Sequence, residues 1–334
     1  MRWRAIGVAA ALLATASAAP PVAATTPHWQ VTLLPMPAGP PNATAELQGS
    51  DGHGGYAGMV YRSGLPPAVA TWHDGRIDVH EFPGDPLWDS TRVLGESRDD
   101  TVLVSSSPVH LTLDRAGVFH PVPTGSFTGV FAELIGPNGD LVGRAADPDD
   151  PSKFVVLYWP SPSAEPSLLA GMEGGSTVQA IDDDGTVLVN CACGIYLLHQ
   201  GVARLLADPA DGSVGQAYAI THGVVAGDGS DRAHAAGTGL VWRSPDSPQV
   251  QENSVRMLGV NSHGLSVGEV KANKDLKPVG VWQDGHSLGR LPAPNGYQTT
   301  TVRFVDEDGA IAGMVAAKPH EGDNLPAVWR FVQG

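Results

Sequence analysis

The stretch GVNSHGLSVG (259–268), followed by PVGVWQDG (278–285), decides the fold. Asn261 opens a turn because its side chain can bond the backbone two residues on, and Gly264 supplies the positive φ that other residues resist. Leu265 to Val267 then suit a buried strand that ends at Gly268. A further strand ends at Trp282, where a large ring can wedge between neighbouring units, and Gln283-Asp284-Gly285 makes a second tight hairpin. The same pattern returns as FVDEDGAIAG (304–313) with PAVWRF (326–331).

Working outward, the turn recurs at Gly54, Gly139, Gly185, Gly223, Gly264 and Gly309, with a degenerate copy near Asp99. The aromatic position runs Trp72, Leu113, Trp159, Leu198, Trp242, Trp282 and Trp329. Seven copies about 43 residues apart fall in the range of four-stranded propeller blades. The chain carries 41 Gly and 28 Pro, with only 16% charged residues and no long amphipathic helical pattern, which makes it all-β. The expected architecture is a single seven-bladed β-propeller over residues 28–334. HWQVTLLPMP (28–37) resembles the strand that follows Trp in other copies, whereas the last copy stops at VWRFVQG. Residues 28–36 are therefore expected to pair beside 325–332 and to close the ring, leaving only short edges.

The pattern resembles the extracellular HAF-repeat proteins, a family of bacterial secreted β-propeller repeats. The resemblance rests on A-x-G-I-N-x-x-G-x-x-V-G, best kept at 257–268, and on V-W-x-D-G, best kept at 281–285. The His-Ala-Phe triplet that names that family is absent; PVGVW, FVVLYW and PAVATW stand in its place. The resemblance covers nearly all of the chain after its leader and implies fold more than function.

MRWRAIGVAAALLATASAAP (1–20) reads as a secretory signal: a basic start, a short apolar run and small residues, with cleavage expected after Ala18 or Ala24. The run is short for a membrane span. Composition suggests a bacterial source, and a soluble exported protein is expected. Net charge is −15, and −17 once Arg2 and Arg4 leave with the signal. Such a surface repels phosphate backbones and anionic headgroups, so neither nucleic acid nor membrane insertion is expected. A protein, a glycan or a small molecule remains as partner. The two cysteines, Cys191 and Cys193, can oxidise to a local disulfide in an exported chain; free thiols or metal ligation are the alternatives.

G-x-S-x-G, H-E-x-x-H, Walker and C-x-x-C signatures are absent. No cofactor is implied. IDDDG (181–185) and DEDG (306–309) lack the alternating calcium-loop spacing and sit at the repeat's turn, so they read as turns; DPDDP (147–151) reads as a solvated loop. No metal site is expected. The histidines of the repeat turns, His53, His222 and His263, read as structural or exposed.

Two groups of candidate contact residues follow. The connections between second and third strands vary most among copies, and variable loops on a rigid scaffold favour binding. They supply Asp228, Asp231, Arg232, His234, Lys274, Asp275, His320, Glu321 and Asp323. The second group is a mostly polar column on the first strands, Gln48, Glu133, Gln179, Tyr218, Leu258 and Arg303, expected to line the central channel. The expected role is a non-catalytic binding scaffold using the variable-loop face. The alternative is a hydrolase or lyase working at the channel mouth on an extracellular small molecule or polysaccharide.

Overall fold

The structure, a computed structural model, describes residues 28–38, 43–83, 91–106, 108–169, 176–231, 234–271, 278–317 and 324–333. Among these residues the strands form seven antiparallel four-stranded sheets, arranged as the blades of a propeller. Blade 1 runs from channel to rim through Thr44–Ser50, Tyr56–Tyr61, Ala68–His73 and Arg76–Glu81. The innermost strands of blades 2 to 7 are Thr91–Glu96, Phe131–Ile135, Thr177–Ile181, Gly212–Thr221, Ser254–Val260 and Gln298–Val305. Blade 7 takes its outermost strand, His28–Leu33, from the start of the described chain. There Trp29 pairs with Phe331 and Val31 with Trp329. The ring is thus closed by hydrogen bonds between its two ends.

The repeat chemistry explains the local geometry. Gly54, Gly139, Gly185, Gly223, Gly264 and Gly309 all have positive φ, between 77° and 98°. In the second blade the equivalent residue is Asp100, at φ 63°. Aspartate tolerates this region better than most side chains. The strand-ending glycine answers a different demand, close approach. A Cβ at Gly268 would lie 2.0 Å from the Arg256 carbonyl oxygen, and one at Gly58 would lie 1.8 Å from that of Glu46.

Five tryptophans, Trp72, Trp159, Trp242, Trp282 and Trp329, are at most 1% exposed. Each ring also carries a hydrogen bond. Its indole N–H donates to a carbonyl on the link arriving from the preceding blade: Pro35, Pro123, Ala207, Glu252 and Pro292 respectively, at 2.6–2.9 Å. The wedge between blades is therefore also a polar clasp, as a buried indole requires. Blades 2 and 4, which carry Leu113 and Leu198 for Trp, also carry Val104 and Val189 for the strand-ending glycine.

The turn acids serve the same inter-blade purpose. The Asp182 carboxylate accepts from the backbone N–H groups of His222 and Gly223, one blade on, at 2.6 Å each. The Asp306 carboxylate accepts from Tyr56 Oη at 2.6 Å and Ser50 Oγ at 3.0 Å in blade 1. Asn261 Nδ2 donates to the Asp306 carbonyl at 3.1 Å.

Candidate functional site

Every innermost strand carries a register shift at the same step. The shifts span Leu47/Gly49, Val93/Gly95, Ala132/Leu134, Val178/Ala180, Ala217/Ala219, Met257/Gly259 and Val302/Phe304. The residue left over in each bulge is Gln48, Leu94, Glu133, Gln179, Tyr218, Leu258 or Arg303. A bulge frees one residue from the ladder and re-aims it. A channel cavity of 620 Å³ runs along this ring, and Gln48, Leu94, Gln179, Tyr218, Leu258 and Arg303 line it. That volume suits a small molecule.

Glu133 departs from the expected column. It occupies the bulge of blade 3, but Leu134 lines the cavity there. Its carboxylate lies 2.7 Å from Arg144 Nε, and Arg144 in turn covers the Phe154 ring at 5.2 Å. Burial pushes the Glu133 carboxyl up, and Arg144 opposes that rise.

On blades 5 and 6 the channel wall carries a chain of polar groups. Tyr218 Oη donates to Asp228 at 2.7 Å, and Asp228 also accepts from the Gln216 backbone at 2.9 Å. The Arg256 guanidinium lies 5.9 Å from the centre of the Tyr218 ring and 2.5 Å from Glu269. Burial, then the bond to Asp228, pushes the Tyr218 phenol up to about 12. Arg303 is different: it is solvent-exposed in the channel, and among the described residues no carboxylate pairs with it.

The variable-loop candidates are only partly placed. Asp228 is held against Tyr218, which joins one candidate of each group. Asp231 and His234 pair as backbone neighbours across a hairpin. Arg232, Lys274, Asp275, His320, Glu321 and Asp323 lie outside the described residues. Cys191 and Cys193 are joined as a disulfide, with Cα atoms 5.2 Å apart where the hairpin pairs Cys191 with Gly194. Within DPDDP, Asp150 pairs with Lys153 at 3.0 Å and Asp147 accepts from the Asp149 backbone, so this loop is braced internally.

The repeat-turn end of the channel gathers charges that sequence reading did not single out. Arg98 of blade 2 reaches Asp183 of blade 4 at 2.7 Å. His222 of blade 5 lies 2.8 Å from Asp183 and 3.6 Å from Glu307 of blade 7. Glu307 accepts from the Ser262 backbone in blade 6 at 3.0 Å, and its own N–H reaches Gly52 of blade 1. This web crosses the mouth from one side of the ring to the other.

A tighter cluster lies between blades 1 and 2 at the same end. His73 Nε2 lies 3.1 Å from Glu96 Oε1, and His73 Nδ1 lies 3.6 Å from Asp100 Oδ1. One Asp51 oxygen is fixed by the backbone N–H groups of His53 and Gly55, at 2.7 and 2.9 Å. The Glu96 side chain is 0% exposed. Burial pushes its carboxyl up to about 7, with His73 opposing. His73 is itself raised, first by its bond to Glu96. Departure from the repeat is the signal that marks these residues. Glu96 stands where blades 3 to 7 hold Ile135, Ile181, Ile220, Val260 and Val305.

No family model matches the chain, and no curated protein matches it. Solved structures do. The β-propeller domain of the Trilobed protease from Pyrococcus furiosus is 15% identical over 76% of this chain and 85% of that one, with a TM-score of 0.53. A prolyl endopeptidase is 13% identical over 87% of this chain, with a TM-score of 0.57. The match spans about half of that enzyme, 51% of its chain. These likenesses establish the propeller fold and nothing finer.

Proposed function

We propose that the protein is an exported, non-catalytic binding propeller that takes a small polar ligand bearing an anionic group into its central channel. One observation carries this reading: Arg303 is exposed in a 620 Å³ cavity with no acidic partner among the described residues. An unpaired guanidinium offers a planar fork suited to carboxylate or phosphate. Gln48, Gln179 and Tyr218 add neutral polar groups to the same cavity wall, while Leu94, Leu134 and Leu258 supply apolar contact. The wall also carries Arg98 and Arg256, each tied to a carboxylate, at 2.7 and 2.5 Å, which leaves Arg303 as the lining arginine without one among the described residues.

Catalysis has less support. The lining hydroxyls Ser50 and Tyr218 donate to the carboxylates Asp306 and Asp228 rather than to a histidine base. Because charge ties cross the repeat-turn mouth, the variable-loop face is the expected entrance. The leader-like sequence of 1–20, the joined cysteines and the resemblance to extracellular HAF-repeat proteins support export.

The test is a thermal-shift screen of the purified protein against sugar acids, phosphosugars and small dicarboxylates, with hits measured by calorimetry. Arg303→Ala should weaken a true ligand about 10-fold or more, the loss expected for a charged hydrogen bond. A silent panel, or hits indifferent to Arg303→Ala, rejects the reading.

A further inference from the structure

The structure assigns a divalent transition-metal site, of the zinc or manganese class, to Asp51, His73 and Asp100 at the junction of blades 1 and 2, with Glu96 as a positioning residue. One nitrogen and two carboxylate oxygens, one from each residue, lie within 4.8 Å of one another. Tetrahedral metal bonds of about 2.1 Å place ligand atoms about 3.4 Å apart, so the side chains draw together by about 1 Å to complete the site.

Three further observations converge on the same spot. First, His73 is oriented as a ligand. Its Nε2 faces the fully buried Glu96 carboxylate at 3.1 Å, and its Nδ1 faces Asp100 Oδ1 at 3.6 Å. A carboxylate behind the far ring nitrogen is the usual support of a metal-bound imidazole. Among the described residues His73 is the group that faces the buried Glu96 carboxylate, and no hydrogen bond to another group accounts for its place. Second, the absence of a side chain at Gly55 lets the ligand groups converge. A Cβ at Gly55 would lie 2.5 Å from both Asp51 Oδ2 and His73 Nδ1. The other Asp51 oxygen is held by two backbone N–H groups, which aims Oδ2 at that space. Third, the repeat is broken at three of these positions. Glu96 replaces an aliphatic residue, Asp100 replaces the turn glycine, and Gly55 stands where other blades carry Thr101, Asp140, Thr186, Leu265 or Ala310.

The turn alone needs none of these substitutions, and burying a carboxylate costs free energy even beside a histidine. Arg115 Nε contacts the second Asp100 oxygen at 3.2 Å from an 82% exposed position, leaving Oδ1 toward His73. The donor set mixes imidazole and carboxylate, which suits zinc or manganese better than calcium or magnesium. Asp51 also lines the channel, so an ion held by three protein groups keeps an open side there.

The experiment uses purified protein freed of metal by a chelator, titrated calorimetrically with Zn²⁺, Mn²⁺, Ca²⁺ and Mg²⁺, with bound metal counted by elemental analysis. One equivalent of Zn²⁺ or Mn²⁺ should bind and raise the melting temperature. Asp100→Gly restores the residue of the other turns and should fold, yet bind at least 10-fold more weakly. Glu96→Gln should weaken binding 10- to 100-fold, the usual effect of losing such a support. With Co²⁺ loaded in place of zinc, the visible band of Glu96→Gln should be shifted from that of the wild type, a change that a merely structural Glu96 would not produce. No saturable binding, binding of Ca²⁺ or Mg²⁺ alone, or wild-type affinity in Asp100→Gly overturns the assignment. Arg303 plays no part here, so failure of the channel-ligand reading leaves this result unaffected.

Discussion

The indole Nε1 of Trp72 in blade 1 donates to the carbonyl of Pro35 at 2.8 Å, a bond across the seam between blades 7 and 1, next to the strand that closes the ring. Pro35 follows the closing strand, as Pro292 follows the outer strand of blade 6 and receives Trp329. The seam is therefore built like every other tryptophan-bearing junction. Trp72→Phe keeps most of the apolar ring but removes the donor. It should cost about 1–3 kcal/mol, the penalty for an unsatisfied buried polar group. Chemical denaturation reads this directly, and a loss below about 0.5 kcal/mol would make the clasp incidental.

Removal of residues 28–36 should have a larger effect. It deletes six register pairs, from His28–Val332 to Leu33–Ala327, together with the Pro35 acceptor. It also exposes the unpaired edge of the strand Asn324–Val332. The melting temperature should fall sharply and the protein should associate. A deletion variant that melts like the wild type and stays monodisperse would show that the ring does not depend on its closure.

The propeller was legible because its determinants are local. A glycine at a left-handed turn and a tryptophan at a strand end announce themselves wherever they recur. The channel column was legible for a related reason: the bulge falls at the same step of each innermost strand, so Gln48, Gln179, Tyr218 and Arg303 share a direction. Glu133 holds the same bulge in blade 3, and Arg144, the ladder partner of Phe131, gives it a charge partner that the column alignment does not display. The His73–Glu96 and Arg98–Asp183 pairs join different blades, and nothing in the spacing of those residues encodes their meeting. Only Glu96 left a trace, as an acid in an aliphatic column.

The strand-ending glycine yields a sharper mutational contrast. Gly268→Ala would place a Cβ 2.0 Å from the Arg256 carbonyl, a backbone atom that cannot swing away. Overpacking of this kind costs about 1–3 kcal/mol or more. Gly264→Ala meets the side chain of Arg243, which can move, but pays for its φ of 81°. Both should destabilise, with Gly268→Ala the worse of the two in urea melts. The reverse order would refute the close-approach account of this repeat position.

Asp306 makes stability depend on pH. Burial raises its carboxyl to about 6, against 3.8 for an unperturbed group, although Tyr56 and Ser50 donate to it. A folded-state value above the unfolded one means that its contribution is fully present below about pH 4 and is lost as pH rises through 6. The difference corresponds to roughly 3 kcal/mol. Asp306→Asn removes the titration while keeping an acceptor for Tyr56. Relative to this variant, the wild type should therefore lose about 3 kcal/mol of unfolding free energy between pH 4 and pH 7. Burial raises Asp182 and Asp140 as well, so a shallower slope of the same sign should remain in the variant. Parallel stability curves for the two proteins across that interval would mean that Asp306 ionises without cost, and that solvent reaches it where the fold shows it only 1% exposed.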